Sequence, residues 1–235
     1  MRRQRKRLGV ALIVMMIALL WLISSEAMAA TSHPLATMTA LDTLRAGGNA
    51  VDAAIAAALT LGVVDGHNSG IGGGCFILVR AADGRIVAID GRETAPARAH
   101  RDMFLRDGKA DAEASQTGPL AVAVPGALAA YQMAVEMLGK KPLAALLEPG
   151  AEIAERGFAI DAVYARNIRQ SQKASALFPA TRALLLQADG EPLQAGAKLV
   201  QADLAATYRA IITHGTDWFY RGEFAERVAA WMRDH

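Results

Sequence analysis

GGNAVDAAIAAALTLGVVDGHNSGIGGGCFILVRAADGRIVAIDGRETAP, residues 47–96, is the stretch of sequence that decides the fold. Its pattern predicts a helix, a glycine-rich turn, a strand, a tight turn and a second strand that ends beside an arginine. Asn49 is of the type that caps a helix, and Asp52 lies three residues later, where its charge favours the exposed amides of the first turn. No charge follows Asp52 as far as residue 64, so we predict that this helix is buried nearly all round.

The glycine-rich turn and the two strands after it complete this stretch. Four glycines between residues 70 and 74 allow positive φ or a close approach to another segment. The continuous apolar run at 76–79 is typical of a buried strand, Asp83-Gly84 of a hairpin turn, and the apolar run at 86–89 of the returning strand. The loop after that strand contains Arg92, and loops at strand ends commonly carry functional side chains.

The order and spacing of these motifs resemble the gamma-glutamyltranspeptidase family. In that family a helix is entered through GGNAVDAA, a turn SGIGGG leads into a buried strand, and a second strand ends in Arg-Glu-x-Ala-Pro, which occupies residues 92–96 here. A Val-Pro-Gly at 124–126 and a Phe-Tyr-x-Gly at 219–222 match the family as well. The resemblance runs from about Met28 to the C-terminus.

The resemblance implies an α+β fold, the αββα sandwich of the N-terminal nucleophile hydrolases. Residues 30–235 would form the N-terminal part of such a domain, so we expect the sandwich to be incomplete. An incomplete sandwich would leave strand edges and apolar faces uncovered. The isolated chain is then expected to aggregate.

The resemblance also implies a reaction. In the family a precursor cuts itself, and the freed threonine at the start of the small subunit is the nucleophile, with its own amine as the base. It attacks γ-glutamyl amides such as glutathione, and water or an amino acid then takes the γ-glutamyl group from the acyl-enzyme. No position of this chain matches that threonine. We therefore expect no catalytic residue here, and we expect a missing C-terminal part, the small subunit, to be the partner that carries the threonine.

Arg92 is the substrate-binding residue that the resemblance implies. In the family the arginine of this motif binds the α-carboxylate of the γ-glutamyl group. A guanidinium suits that role because its planar fork grips a carboxylate with two parallel hydrogen bonds. From the residues alone, an ion pair of Arg92 with Glu93 or with Asp90 is an alternative interpretation.

Three interpretations of the activity stay open. The chain is part of a working glutathione hydrolase, or a catalytically inactive remnant of the family, or part of a related amide hydrolase such as an acylase or a capsule-processing transpeptidase. Arg92 argues against an acylase whose substrate lacks the α-carboxylate.

The remaining polar residues predict neither a cofactor nor a metal site. The glycine-rich turn follows a helix and opens a strand, the reverse of the order in a dinucleotide-binding loop, and no Lys-Ser/Thr follows it as in a phosphate-binding loop. The five histidines lack the spacing of metal ligands. The single cysteine, Cys75, excludes an internal disulfide, and its apolar strand predicts a small buried hydrophobe rather than a nucleophile.

Residues 1–29 have the form of an export signal. Basic residues precede an uncharged apolar run at 8–23, and Ala27-Met28-Ala29 offers a signal-peptidase site. An uncleaved membrane anchor is the alternative, with residues 8–23 as the membrane contact. In either case we expect the rest of the chain outside the cytoplasm, in the periplasm or the extracellular space. Since the basic surplus is concentrated in these residues, the net charge of +2 does not indicate a nucleic-acid partner.

The rest of the chain is predicted to be mainly helical. Recurring apolar residues predict a helix at 36–45, and the apolar run at 120–124 predicts a further buried strand. A helix is predicted at 127–138, and Pro142 and Pro149 are placed to open two separate helices. Further helices are predicted at 163–173, 183–187, 204–214 and 223–232, and the aromatic connection at 215–222 is predicted to pack in the core.

Overall fold

The structure is a computed structural model that describes residues 27–234. The apolar run at 8–23, predicted to be part of a signal peptide or an anchor, lies outside the described residues. Within the described range, no helix combines the length and the apolar character that crossing a membrane requires.

Helices predominate in the described part of the chain, and its strands are short. The helices are α1 (Pro34–Arg45), α2 (Ala50–Val64), α3 (Ala127–Leu138), α4 (Leu143–Arg156), α5 (Ala162–Leu177), α6 (Pro179–Leu185), α7 (Ala202–His214), α8 (Thr216–Tyr220) and α9 (Glu223–Asp234). The strands are β1 (Cys75–Arg80), β2 (Ile86–Gly91), β3 (Leu105–Arg106), β4 (Lys109–Ala110), β5 (Phe158–Ala159) and β6 (Lys198–Leu199). Antiparallel pairs join β1 to β2, β3 to β4, and β5 to β6.

Helix α2 begins with the cap that the sequence predicts. The Asn49 side chain accepts hydrogen bonds from the amides of Val51 and Asp52, and the Asp52 carboxylate accepts one from the amide of Asn49 at 2.7 Å. Eleven of the fifteen residues of α2 are buried, which confirms the prediction of a helix covered nearly all round. The buried Asp52 carboxylate also accepts hydrogen bonds from the amides of Lys140 and Lys141. The N-terminus of α2 is thereby bonded to the connection between α3 and α4.

The hairpin of β1 and β2 forms at the predicted turn, but only one of its faces is buried. Ile77 and Val79 pack against the core, whereas Phe76 and Leu78 are each 74% exposed. The prediction of a strand buried on both sides is therefore wrong. The physical reason is that α3 packs on one face and no described element covers the other. A run of apolar residues does not show how many faces are covered.

The apolar run at 120–124 is not a strand. Residues Pro119–Ala121 form a short 3-10 helix, and Val124 makes a single antiparallel bridge with Thr94. The larger side chains of this run are about half exposed rather than buried. Prolines at both ends of the run, Pro119 and Pro125, lack the amide donors that a strand ladder needs. Pairing is therefore limited to the one bridge.

Pro149 lies inside one continuous helix, so the prediction of two separate helices is wrong. Pro142 is the N-cap residue of α4, and the helix continues through Pro149. A proline inside a helix removes a backbone hydrogen bond and destabilises it locally. Buried residues on both sides of Pro149, among them Leu147 and Ala151, pack α4 against α2 and α7. The free energy gained by this packing outweighs the local destabilisation of the helix by the proline.

The other predicted helices form, with different ends in several cases. Residues 127–138 are helical as predicted, and α5 continues beyond the predicted end at residue 173. Helix α6 begins at Pro179, before the predicted start, because a proline is well suited to the first helical turn. Helix α8 occupies part of the aromatic connection, and its Phe219 is buried in the core as predicted.

The core is built around α2, which packs against α1, α3 and α4. Helix α7 packs on α4, and one side chain of α7 and the side chain of its N-cap residue bond to α2. The Tyr208 hydroxyl donates to the carbonyl of Leu59 at 2.9 Å, and the Gln201 side chain donates to the carbonyl of Val63 at 2.8 Å. Gly62 makes room for the first of these bonds, since a Cβ there would lie 2.9 Å from the Tyr208 hydroxyl. These contacts fix the end of α2 from which the glycine-rich turn starts.

Candidate functional site

A cavity of about 640 Å³ opens beside the glycine-rich turn. Its walls come from the C-terminal half of α2, the turn at 66–74, Cys75 at the start of β1, the pair Arg92 and Glu93 after β2, and Tyr131 of α3. The volume is in the range of small-molecule sites. The residue that the sequence singles out, Arg92, therefore lies in the wall of a cavity of suitable size for a ligand.

The start of the turn is fixed by Asp65, which directly follows α2. Its carboxylate accepts hydrogen bonds from the Ser32 hydroxyl at 2.8 Å and from the Asn68 side chain at 3.2 Å. Its Oδ1 also lies 3.0 Å from Nε2 of His67, and its backbone carbonyl accepts from the amides of Asn68 and Ser69. One buried carboxylate thus joins the segment before α1 to the first residues of the cavity wall.

Arg92 is placed by close backbone packing between the turn, the end of β2 and the start of α3. The amides of Gly126 and Ala127 both donate to the carbonyl of Gly73 at 3.0 Å. A Cβ on Gly126 would lie 2.4 Å from the carbonyl oxygen of Gly91 and 2.6 Å from that of Arg92, closer than Cβ atoms are found in proteins. The glycine of the Val-Pro-Gly motif is required because it lets α3 start against the backbone of the arginine.

The Arg92 side chain is 57% exposed, and its Nη2 lies 3.1 Å from Oε2 of Glu93. The ion pair with Glu93 that the residues suggest is therefore present. Among the described residues, the Asp90 carboxylate makes no ion pair with the Arg92 guanidinium, and its Oδ1 accepts a hydrogen bond from the backbone amide of Arg92 at 2.9 Å. A guanidinium has five N–H donors, and the contact with Glu93 uses one nitrogen. The pair with Glu93 is thus compatible with a carboxylate ligand on the same guanidinium.

Two groups that are neutral at physiological pH, the Cys75 thiol and the Tyr131 phenol, line the same cavity. Burial raises the pKa of Cys75, and the charges of Asp90 and Glu93 raise it further. The thiol therefore stays protonated, which disfavours a role as nucleophile. Cys75 is half-buried, so the prediction of a small buried hydrophobe is only partly right. Burial also raises the pKa of Tyr131 to about 12, which keeps the phenol neutral.

Two of the histidines make structural contacts. Nδ1 of His33 accepts a hydrogen bond from the amide of Leu35 and so caps α1. Burial lowers the pKa of His33, although the nearby charges of Asp161 and Asp65 oppose the change. His67 pairs with Asp65. Within residues 27–234, no group of three or more His, Cys, Asp or Glu side chains is arranged to hold a metal ion.

Two residues of this region, Asp65 and Tyr131, are not indicated by any pattern in the sequence. Asp65 follows a predicted helix, a place where a polar residue is ordinary, and its partner Ser32 is remote in sequence. Tyr131 is one residue of a mostly apolar helix, α3. Helical spacing shows which residues share a face, but it does not show that this face meets the cavity of Arg92.

Comparison with known proteins identifies the family. The family model of gamma-glutamyltranspeptidase matches residues 36–235. The chain is 41% identical over 217 residues to the glutathione hydrolase proenzyme of Bacillus subtilis (strain 168), and 37% identical over 211 residues to that of Escherichia coli (strain K12). These matches cover 90% and 89% of this chain and 36% of each relative. The chain therefore spans about a third of the length of the curated relatives.

Relatives with other names are similar as well. The acylase ACY 1 proenzyme of Pseudomonas sp. (strain V22) is 39% identical over 217 residues, which are 88% of this chain and 38% of that relative. The transpeptidase CapD of Bacillus anthracis has a TM-score of 0.74 at 30% identity, over 89% of this chain and 66% of that chain.

The solved structure of the Helicobacter pylori gamma-glutamyltranspeptidase superimposes with a TM-score of 0.86 at 35% identity. The match covers 88% of this chain and 60% of that chain. This similarity confirms the predicted fold class, the α+β fold of the N-terminal nucleophile hydrolases. With the sequence matches, it shows that the chain belongs to the gamma-glutamyltranspeptidase family.

Proposed function

We propose that the protein carrying this chain is a glutathione hydrolase, or gamma-glutamyltransferase. It cleaves γ-glutamyl amides such as glutathione and transfers the γ-glutamyl group to water or to an amino acid. The names of the curated relatives support this proposal. The observation that carries it is the exposed guanidinium of Arg92, which lies in the Arg-Glu-x-Ala-Pro motif and in the wall of the cavity of about 640 Å³.

In this proposal Arg92 binds the α-carboxylate of the γ-glutamyl group with two parallel hydrogen bonds. Glu93 orients the guanidinium from one side through its 3.1 Å contact with Nη2. Glu93 is itself packed against the turn, since a Cβ on Gly74 would lie 2.6 Å from its Oε2. The contact of Glu93 with Nη2 favours one orientation of the guanidinium before a ligand arrives, which reduces the entropy lost on binding.

The chain contributes substrate binding to the reaction, and we assign none of its residues a catalytic role. The proposed nucleophile is a threonine of a small subunit, freed when the precursor cuts itself. Binding of the α-carboxylate at Arg92 places the γ-amide carbonyl for attack by that hydroxyl, and proximity of this kind supplies much of the rate in acyl transfer. The names of the relatives as proenzymes support a processed precursor.

Replacement of Arg92 tests the proposed site. In the active protein, Arg92→Ala should raise KM for γ-glutamyl-p-nitroanilide by about 100-fold or more, because two hydrogen bonds to a charged group are lost. Arg92→Lys should give an intermediate KM, since a lysine keeps the charge but not the fork. Arg85→Ala is the matched control, because Arg85 is 69% exposed and pairs with Asp83 in the hairpin turn. An unchanged KM in Arg92→Ala would remove the assignment.

The acylase and CapD similarities support a second candidate, a related hydrolase of another amide. The two candidates differ in whether the substrate needs an α-carboxylate. Parallel assays with a γ-glutamyl amide and with an acyl amide that lacks the α-carboxylate distinguish them. Faster cleavage of the second substrate would favour an acylase. Binding of L-glutamate without cleavage of either amide would indicate a non-catalytic member of the family.

We also propose that the protein is exported. The basic residues before the apolar run at 8–23, and the Ala27-Met28-Ala29 pattern, support export to the periplasm or the extracellular space. The mass of the mature N-terminal peptide tests this. A protein that begins at Ala30 has lost a signal peptide, whereas a retained N-terminus in the membrane fraction indicates an anchor. Recovery in the cytoplasm would contradict the proposal.

A further inference from the structure

Tyr131 is the residue that α3 contributes to the wall of the cavity. Its ring belongs to the buried core, and only 8% of the residue is exposed. Cys75, at the start of β1, lines the same cavity.

The Tyr131 hydroxyl differs from those of two other tyrosines that pack in or against the core. The Tyr208 hydroxyl donates to a backbone carbonyl, and the Tyr220 hydroxyl accepts from the amide of Ala129 at 3.0 Å. The hydroxyls of Tyr131 and Tyr164 have no hydrogen-bond partner among the described residues, and of these two tyrosines Tyr131 is the one that lines the cavity. In that part of the chain, no side-chain nitrogen or oxygen is both fully buried and unpaired. The Tyr131 hydroxyl must therefore remain accessible, and the cavity is the space that this residue lines.

An unpaired hydroxyl at the end of a buried ring is poised to bond to a ligand. Because the hydroxyl is accessible and Tyr131 lines the cavity, a polar atom of a bound ligand can be its partner. The ring belongs to the buried core, which limits the freedom of the hydroxyl to reach a partner elsewhere. The cavity thus presents a cation, Arg92, and a neutral hydroxyl to the same ligand.

We propose that Tyr131 is a ligand-contacting, specificity-determining residue, whose hydroxyl bonds to a polar atom of the γ-glutamyl group while Arg92 binds its α-carboxylate. This inference rests on the proposed function. A site that hydrogen-bonds a polar group of its substrate discriminates against analogues without that group, because the buried partner is then left unpaired. Tyr131 would thus favour γ-glutamyl ligands over carboxylates whose side chain is wholly apolar.

Binding can be measured at Cys75, because this thiol lies in the same wall. A ligand in the cavity should protect Cys75 from a small maleimide, and the mass of the peptide that carries Cys75 reports its modification. The probe is L-glutamate, the product of the proposed hydrolysis, which the enzyme does not consume. The concentration that gives half-protection measures affinity independently of turnover.

Tyr131→Phe should raise the half-protection concentration by about 5-fold to 10-fold, the effect of one neutral hydrogen bond, and should leave the ring and the fold in place. In the active protein the same variant should raise KM for γ-glutamyl-p-nitroanilide by a similar factor. Tyr220→Phe is the matched control, because it removes a hydroxyl that is bonded to backbone and does not line the cavity. Its half-protection concentration should equal that of the unmodified protein.

The outcomes separate this inference from the proposed function. If Arg92→Ala abolishes protection while Tyr131→Phe leaves it unchanged, the role of Tyr131 is overturned and that of Arg92 stands. If L-glutamate protects Cys75 equally well in Arg92→Ala and in the unmodified protein, the proposed function fails. Weaker protection in Arg92→Ala and in Tyr131→Phe, with unchanged protection in the Tyr220→Phe control, supports the two assignments together.

Discussion

Asp52 accepts hydrogen bonds from three backbone amides, those of Asn49, Lys140 and Lys141. A fully buried carboxylate is normally costly, and it is stable here because N–H groups surround it. The backbone at 139–141 must lie close to this carboxylate for its amides to reach it. A Cβ on Gly139 would lie 2.8 Å from Oδ1 of Asp52, so a glycine is needed at that place. At the residue scale, one side chain both caps α2 and fixes the connection between α3 and α4.

Replacement of Asp52 should therefore destabilise the protein strongly. Asp52→Ala leaves several amides without an acceptor in a buried place, and we expect the free energy of unfolding to fall by about 3 kcal/mol or more. Asp52→Asn keeps the shape and one carbonyl acceptor, so a loss of about 1–2 kcal/mol is expected. Urea unfolding followed by far-UV circular dichroism measures both values.

Asp42→Ala is the control for this prediction. Asp42 is also an aspartate near the end of a helix, but its side chain is 66% exposed and pairs with Arg45 on the surface. Its loss should change the free energy of unfolding by about 0.5 kcal/mol or less. Equal effects of the two alanine variants would show that the buried bonds of Asp52 contribute little.

At the scale of elements, the parts of the fold that the sequence predicts are those with local causes. The cap at Asn49, the apolar body of α2 and the hairpin turn at Asp83-Gly84 depend on residues a few positions apart, and all three are confirmed. The helix at 127–138 is confirmed for the same reason. Local patterns are reliable wherever no distant contact opposes them.

The wrong predictions concern elements whose state depends on remote partners. Phe76 and Leu78 lie on a face that no described element covers. Their apolar character alone suggests that they are buried. Helix α4 stays continuous through Pro149 because it packs against α2 and α7, and the sequence does not reveal this packing. In the site, Arg92 was predictable from its motif, but Tyr131 comes from another element, and no spacing connects the two residues.

At Gly126 the start of α3 packs directly against the end of β2 and the glycine-rich turn, beside Arg92. Gly126→Ala would place a Cβ 2.4 Å from the carbonyl oxygen of Gly91, so the start of α3 and the loop with Arg92 must move apart. We expect KM for γ-glutamyl-p-nitroanilide to rise in the same direction as in Arg92→Ala. The free energy of unfolding should fall by about 1–3 kcal/mol, as in overpacked cores.

Gly72→Ala is the matched control, since a Cβ on Gly72 would meet no atom within 4 Å and the residue does not have positive φ. Its free energy of unfolding should stay the same or rise by about 0.5 kcal/mol, because alanine restricts the unfolded chain. If Gly126→Ala is as stable as Gly72→Ala and keeps its KM, close packing at Gly126 does not position Arg92.

At the scale of the whole molecule, the described chain combines a well-packed helical core with one uncovered sheet face. Helices α2, α4 and α7 are joined by apolar packing and by buried bonds such as that of Tyr208 to Leu59. The hairpin of β1 and β2 is covered on its core side only, and its outer face presents Phe76, Leu78 and Ile86, the last 68% exposed. The cavity of Arg92 lies at the end of this hairpin, so the site and the uncovered face belong to the same element.

Contiguous exposed apolar side chains on an unpaired hairpin favour association. We predict that the isolated chain self-associates through this outer face as its concentration rises, as measured by sedimentation velocity. The double substitution Phe76→Ser and Leu78→Ser should raise the concentration at the midpoint of association by about tenfold or more, because two large side chains no longer leave water. Leu177→Ser is the control, since Leu177 is 64% exposed at the end of α5 and lies outside the hairpin. A chain that stays monomeric at every concentration, or one that the double substitution and the control affect equally, would show that this face does not drive association.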